Sequence, residues 1–195
     1  MSHTKHHTDA YVLGGINTGE ADKFLWLYTR EFGLVGVQTK SLRKVSSKQR
    51  FALQDYSFSH VSLVKGRNLW RLTNVSPGEN LYQKYIGDQK LGFIIGLFSL
   101  VKRLIQGEEK DREVFSLLEE AMVAIDKVSN NMIKDFEKLV YLRVLFLLGY
   151  IDDDVSIKFL IEDLFDFSDA RIASIEGESE KLQKLIDKAL LQSQL

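Results

Sequence analysis

The stretch VGVQTKSLRKVSSKQR, Val35–Arg50, decides how this chain of 195 residues folds and what its surface offers. It begins with the alternating pattern of a β-strand and runs directly into a polar loop. The loop contains five cations: Lys40, Arg43, Lys44, Lys48 and Arg50. No Asp or Glu occurs between Glu31 and Asp55. A basic loop that projects from a small sheet is the pattern expected of a surface that meets phosphates.

The charge is unevenly distributed along the chain. Residues 1–80 hold 11 Lys and Arg against 6 Asp and Glu, a balance of +5. Residues 81–195 hold 15 against 21, a balance of −6, so the overall charge of −1 hides the difference. This asymmetry predicts that the first part faces a polyanion while the second part has another task.

Composition excludes several classes of protein. The chain has no cysteine, which excludes disulfides, a thiol nucleophile and every zinc site built on Cys, and fits a reducing cytoplasm. The N-terminus lacks the apolar segment of a signal peptide, and the apolar runs are too short to cross a bilayer. Since 45% of the residues are hydrophobic, a sizeable core can form. We therefore expect a soluble intracellular protein.

Five candidate strands surround the basic loop and are joined by glycine-containing turns. They are Tyr11–Leu13, Lys23–Thr29, Leu34–Lys40, Tyr56–Val64 and Leu69–Val75. Five short strands in about 65 residues predict an OB-fold, a small β-barrel on which oligonucleotides lie across one face. Residues 1–9 are polar and are expected to form a flexible tail.

The pattern changes after Pro77, the one proline in the chain, from a period of two to a period of 3.6. We therefore predict an α+β protein with an OB-fold domain over residues 10–78 and an α-helical domain over residues 79–195. The predicted helices are Gln89–Gln106, Asp111–Val128, Asn130–Leu148, Val155–Phe165 and Glu178–Gln192. The third is apolar on all sides except for Arg143, as expected of the central helix of a bundle.

Two interpretations of the basic loop remain open, because cations also occur on ordinary solvated loops. The same domain adds Arg30, Lys65, Arg67 and Arg71, together with an interleaved set of aromatic residues: Phe24, Trp26, Tyr28, Phe51, Tyr56, Phe58 and Trp70. Aromatic side chains inside a basic groove hold single strands by stacking on bases. A barrel also needs a core, so we expect most of these rings to be buried and one or two to face nucleic acid.

The other chemical patterns are weaker. The glycines of Gly14–Gly19 lack the Lys-Ser/Thr pair of a phosphate loop and predict a turn. Three acids at Asp152–Asp154 lack the alternation of a calcium loop and suit a helix N-terminus. His60 is expected to be a structural or surface residue. No catalytic, metal or cofactor site can be assembled, so the chain is not expected to be an enzyme.

Several segments, in order, resemble the N-terminal domain of the bacterial DNA repair family RecO. These are Tyr11–Leu13, Gly19–Lys23, Thr29–Gly33, the strand that leads into Lys40 with its Arg/Lys/Ser loop, and Ala52–Gln54 before an aromatic strand. Farther along, Leu142–Tyr150 is similar to the segment of the family that ends in Leu-Gly-Tyr. The resemblance extends over about residues 10–150.

The resemblance implies an OB-fold followed by a helical domain in a bacterial, nucleoid-associated protein of the cytoplasm. It also implies binding of single- and double-stranded DNA, annealing of complementary strands, and work beside RecR so that RecA loads onto DNA coated with single-stranded-DNA-binding protein (SSB). In the family the helical domain docks the acidic tail of SSB. Lys138 and Arg143 lie where the pattern would place the cations of that docking site.

The chain departs from the family pattern in three ways. The Cys-rich zinc module that many members carry after Leu-Gly-Tyr is missing, and the chain is shorter than usual. Ser41 stands where a glycine is common, and Asp55 where a proline is common. These departures put the contacts made by the missing segment in doubt.

We expect the loop cations Lys40, Arg43, Lys44, Lys48 and Arg50 to neutralise phosphates, with Arg30, Arg67 and Arg71 as lesser contributors. Affinity for DNA should then depend steeply on salt and little on sequence. The alternative is a non-enzymatic protein–protein adaptor whose acidic helical half docks partners. A nuclease is a third reading, but the sequence lacks an acidic metal cluster.

Overall fold

The computed structural model describes residues 4–47, 49–67, 69–152 and 157–193. Strands come first and helices follow, which confirms the α+β prediction. The strands are β1 (Lys5–Thr18), β2 (Asp22–Thr29), β3 (Gly33–Thr39), β4 (Ser57–Lys65) and β5 (Trp70–Asn80). The α-helices are α1 (Leu81–Tyr85), α2 (Lys90–Leu104), α3 (Arg112–Ala124), α4 (Ile133–Leu147), α5 (Lys158–Ile161), α6 (Asp169–Ala173) and α7 (Ser179–Gln192). Three sequence predictions, Lys48, the acids Asp153 and Asp154, and the helix start at Val155, lie outside the described residues.

The five strands form one closed sheet in the order β1-β2-β3-β5-β4. β1 closes the sheet because it pairs antiparallel with both β2 and β4. β3 and β5 run parallel over a short segment in which Val37 faces Trp70 and Gln38 faces Arg71. This pairing brings the end of β3, where the basic loop begins, beside the start of β5.

β1 is longer than the sequence predicted and begins inside the proposed tail. Lys5 pairs with Val64 and Asp9 pairs with His60, so residues 5–9 are part of the sheet rather than a loose tail. The predicted turn at Gly14–Gly19 forms only at its end, because Gly19 and Glu20 turn the chain between β1 and β2. The earlier glycines, Gly14 and Gly15, lie within β1, which has a bulge between Val12 and Gly15. A Cβ on Gly15 would lie 2.7 Å from the Leu25 side chain, so only glycine fits at this bulge.

The barrel core collects the inward residues of each strand. Its buried members are Ala10, Val12, Leu25, Leu27, Val35, Val37, Leu42, Leu53, Val61, Leu63 and Trp70. β3 alternates between buried and half-buried residues along its whole length, which is the pattern that predicted it. Leu42 and Leu53 do not belong to strands but to the connection between β3 and β4, so that connection is built into the core.

The change from strand to helix falls slightly later than Pro77. β5 continues through Pro77, which is paired with Ser59, and ends at Asn80. The Asn80 side chain then accepts a hydrogen bond of 3.0 Å from the backbone N–H of Gln83 and caps α1. The chain divides into two compact units, Met1–Asp111 and Arg112–Leu195, so α1 and α2 belong with the barrel. A domain boundary at residue 78 stays a prediction.

The second unit is organised around α4, which packs against α3, α5, α6 and α7. Its residues Phe136, Leu139, Val140 and Val144 are fully buried, as expected of the central helix of a bundle. The structure adds the short helix α6, which the sequence did not predict. In the described ranges, no helix has the length and apolar character needed to cross a membrane.

Candidate nucleic-acid interface

The basic loop, residues 40–50, is fixed where it leaves the barrel. Leu42 is 2% exposed and belongs to the barrel core, and Leu53 closes the same connection with 1% exposed. Between these residues the chain runs over the surface. The backbone N–H of Ser41 donates a hydrogen bond of 2.7 Å to Asp22 Oδ1 on β2. The loop is therefore held at both ends by the barrel, so its side chains project from a defined position.

Three of the described cations of the loop point into solvent. Lys40, Arg43 and Lys44 are exposed and Arg50 is half-buried. Arg43 Nη1 donates to the Glu20 carbonyl oxygen at 3.3 Å, which leaves its charge without a counterion. In the part of the chain that the structure describes, none of these four cations pairs with a carboxylate. The fifth predicted cation, Lys48, lies outside that part.

The parallel pairing of β3 and β5 brings Arg71 to the basic loop. Lys40 and Arg71 line one cavity of about 180 Å³ together with Gln38, Thr39, Gln49 and Leu72. Sequence reasoning named the two cations but missed the amides of Gln38 and Gln49. Nothing in the sequence signals that these amides share a cavity with Arg71, which lies more than 20 residues farther along the chain. Two cations and two amides form a polar cavity suited to an anion.

Arg30 is placed differently from the loop cations. Its Nε lies 3.2 Å from Asp9 Oδ2, and the other oxygen of Asp9 lies 2.6 Å from His60 Nδ1. The predicted contribution of Arg30 to phosphate binding is therefore reduced, because its charge already faces a carboxylate. His60, which the sequence predicted to be a structural or surface residue, is exposed and paired across the sheet with Asp9.

Arg67 lies in the turn between β4 and β5 and is exposed. Its neighbour Lys65 forms an ion pair of 2.6 Å with Glu108 and lies over the Trp70 ring at 5.5 Å. Of the cations near this turn, Lys65 is therefore compensated by a carboxylate. Arg67 projects into solvent, as a contributor to phosphate binding would require.

Most aromatic residues of the barrel are covered, as expected. Trp70 is 2% exposed and Tyr28 is fully buried, and burial raises the pKa of the Tyr28 phenol far above its usual value. Phe24 and Trp26 are half-buried and form an edge-to-face pair with ring centroids 5.0 Å apart. Phe51, at the end of the basic loop, is 64% exposed.

The two residues predicted to dock a partner tail, Lys138 and Arg143, are used inside the helical unit. Arg143 is fully buried, and its Nε and Nη1 donate to the carbonyl oxygens of Leu160, Leu164 and Asp166 at 2.9 to 3.0 Å. Burial lowers the pKa of Arg143 to about 10, so the guanidinium stays charged at neutral pH. This burial argues against Arg143 as a contact residue.

Lys138 is also tied to its own unit. Its Nζ donates to the Ser179 hydroxyl at the start of α7 and lies 3.7 Å from Asp135 Oδ1. The side chain is only 20% exposed. A role for Lys138 in partner binding remains a prediction, and it would require breaking these contacts.

A groove beside α7 offers a more accessible set of cations. It has a volume of about 480 Å³ and is lined by Tyr150, Ile151, Asp152, Ile157, Lys181, Leu182, Lys184, Leu185, Lys188, Ala189 and Gln192. Lys181, Lys184 and Lys188 are all exposed and follow one another at the spacing of one helix turn. The sequence contains this spacing, but sequence reasoning did not use it. An apolar floor with a row of lysines suits an acidic peptide.

Comparison with known proteins shows what the barrel is similar to. Residues 1–80 match the family described as "Recombination protein O N terminal". The matched residues contain all five strands of the barrel and the basic loop. Curated relatives, each named "DNA repair protein RecO", extend the similarity into the helices.

Three of these relatives show the extent of the match. The protein of Desulfitobacterium hafniense is 36% identical over 75 residues, which cover 38% of this chain and 28% of the relative. That of Alkaliphilus metalliredigens is 27% identical over 111 residues, or 57% of this chain and 45% of the relative. That of Pelotomaculum thermopropionicum is 29% identical over 146 residues, or 74% of this chain and 56% of the relative. The chain thus spans at most about half the length of these three relatives.

Proposed function

We propose that this chain is a non-enzymatic mediator of recombinational DNA repair that binds single- and double-stranded DNA through its basic loop. The observation that carries the proposal is the loop itself. Its exposed cations are anchored to the barrel by Leu42 and Leu53 and, among the described residues, face no carboxylate. The relatives are named for DNA repair, and this supports the same process here.

The barrel acts in this proposal as an OB-fold. Its five strands close in the order β1-β2-β3-β5-β4. OB-folds bind oligonucleotides on the face formed by strands 2 and 3. Two loops also contribute, one between strands 1 and 2 and one between strands 4 and 5. Arg67 lies in the last of these loops. Arg71 and Lys40 extend the cationic surface along the β3–β5 edge.

Phosphate contacts of this kind favour strand annealing. Lys and Arg side chains that bind the phosphate backbone of DNA leave the base edges free. The bases of two strands bound on one surface can therefore pair with each other. In the cell the chain would act on DNA that is coated with SSB. It would act together with RecR, and RecA would then load onto that DNA. No step of this process requires the chain to break or form a covalent bond.

Charge reversal of the loop tests the proposal. The triple variant K40E/R43E/K44E should bind a fluorescent single-stranded oligonucleotide more weakly than wild type at low salt. Its plot of log affinity against log salt should be flatter by about 2, because three phosphate contacts each contribute roughly 0.7 on single strands. Annealing of complementary strands coated with SSB should fall in parallel.

The variant K127E/K134E/K158E is the matched control. It changes the net charge by the same amount at exposed positions of the helical unit. Under the proposal it retains the wild-type salt dependence. If both triple variants weaken DNA binding equally, total charge and not the basic loop determines binding. If the loop variant binds DNA as wild type does, the loop is not the contact.

A second candidate function, a protein–protein adaptor, is favoured by the groove beside α7. We propose that its lysines attract an acidic peptide such as the tail of SSB while the half-buried Leu185 contacts an apolar side chain of that peptide. Lys181 is the most compensated of the three lysines, because it lies 3.3 Å from Glu178. An acidic peptide ending in an aromatic residue should therefore bind wild type and lose affinity for K184E/K188E. Binding to the peptide without any binding to DNA would favour the adaptor over the repair mediator.

A further inference from the structure

Phe51 is held out of the core by its neighbours. The next two residues, Ala52 and Leu53, are 5% and 1% exposed, and Leu53 is part of the barrel core. The Ser59 hydroxyl fixes the backbone here by donating a hydrogen bond of 2.5 Å to the Ala52 carbonyl oxygen. Because the chain enters the core at residue 52, the ring of Phe51 stays on the surface, 64% exposed.

The ring also lies beside a cation of the basic loop. The guanidinium carbon of Arg50 lies 5.1 Å from the centroid of the Phe51 ring. Lys40, Arg43 and Lys44 project from the same loop. A flat apolar surface next to cations is complementary to a ligand that has a flat ring next to an anion, as a nucleotide does.

The other aromatic residues of the sheet are less suited to this contact. Phe24 lies against the backbone of Gly36, where an added Cβ would come within 2.6 Å of the Phe24 ring. Trp26 is half-buried, and Lys102 Nζ lies over its ring at 3.6 Å. Trp70 is buried in the core. Among the described residues of the strands and the basic loop, Phe51 presents the most exposed aromatic face.

We propose that Phe51 stacks on an unpaired base and gives the basic loop a preference for single-stranded over double-stranded DNA. In a duplex, both faces of each base are covered by stacking, so the ring has no base to contact and only the phosphates remain. The proposal rests on the proposed function, since it assigns a specificity to the same loop. Phosphate contacts supply the salt-dependent affinity, and Phe51 adds a term that does not depend on charge.

The test compares F51A with wild type on three ligands of equal length: oligo-dT, a fully abasic strand, and a duplex. Loss of one stacked base should weaken binding to oligo-dT about 5- to 150-fold. Binding to the abasic strand and to the duplex should stay within about twofold, and the slope of log affinity against log salt should not change, because no charge is removed. F51L, which keeps an apolar side chain without an aromatic face, should behave like F51A.

The variant F51W gives a direct signal. Its added fluorescence, measured against wild type to subtract Trp26 and Trp70, should be quenched by oligo-dT but not by the abasic strand. If F51A weakens all three ligands equally, or weakens none while wild type binds them, the stacking role is overturned and the phosphate-binding role of the loop stands. If wild type binds none of the ligands at low salt, the proposed function and this inference both fail.

Discussion

The carboxylate of Asp22 accepts a hydrogen bond of 2.7 Å from the backbone N–H of Ser41, the first residue after Lys40 in the basic loop. This bond ties the start of the loop to β2. D22A should lower the free energy of unfolding by about 1 kcal/mol, the usual value of one such hydrogen bond. D22N keeps an oxygen acceptor and should lose less. Urea unfolding of the three proteins measures the difference, and equal stability of D22A and wild type would contradict the anchoring role of Asp22.

Ser41 itself adopts a left-handed backbone conformation, with φ of +56°. This region is unfavourable for residues with a Cβ and accessible to glycine. S41G should therefore raise the free energy of unfolding, by up to about 1 kcal/mol after the greater entropy of glycine in the unfolded chain is subtracted.

Ser46, in the same loop, is the matched control because its φ is not in the left-handed region. S46G should lower stability by a few tenths to about 1 kcal/mol. Thermal unfolding of both variants should therefore shift Tm in opposite directions. A decrease in both would show that the Asp22 bond does not hold Ser41 in the left-handed conformation in solution.

Two buried phenols predict how stability responds to alkaline pH. Burial is the main cause that raises the pKa of Tyr28 and Tyr141 well above the normal value, and Asp111 and Glu137 respectively add to the effect. A group whose pKa is raised by folding stabilises the folded state fully below its unfolded pKa of about 10 and loses that contribution as pH rises further. Stability should therefore fall above pH 10.

Absorbance of tyrosinate during an alkaline titration checks this expectation. Of the 7 tyrosines, Tyr28 and Tyr141 should ionise only together with unfolding. Y28F and Y141F should each retain more stability than wild type between pH 10 and 11. Reversible ionisation of all the tyrosines in folded protein would show that the two phenols are accessible to water.

The sequence predicted the elements of the barrel because its signals are local. Alternation of Val35, Val37 and Thr39 marks β3, and the residues from Arg43 to Arg50 are all polar or cationic except Val45. The same local patterns could not give the length of β1, since residues 5–9 are polar and become a strand by pairing with β4. Glycine is typical of both bulges and turns, so only the pairing with β2 shows that Gly15 lies at a bulge and Gly19 in the turn.

The cationic loop was predicted from composition, but composition does not show which cations of the chain form ion pairs and which are exposed to solvent. Arg30 forms an ion pair with Asp9 because β1 and β2 are adjacent in the sheet. Lys65 forms an ion pair with Glu108, which follows α2 and lies 43 residues farther along the chain. Arg143 shows the same limit. In the sequence it is a lone cation in an apolar helix, which fits a partner site and an internal role equally well, and only the positions of the carbonyl groups decide between them.

Arg143 provides the clearest test of the helical unit, because one buried side chain holds the segment from Leu160 to Asp166. R143L would leave three carbonyl oxygens without their donor, and the free energy of unfolding should fall by about 3 kcal/mol or more. R143K keeps the charge and one donor group but not the planar guanidinium, so an intermediate loss is expected. Urea unfolding followed by circular dichroism at the helix band measures both. If Arg143 were instead an exposed contact for a partner, R143L would leave unfolding unchanged and abolish only peptide binding.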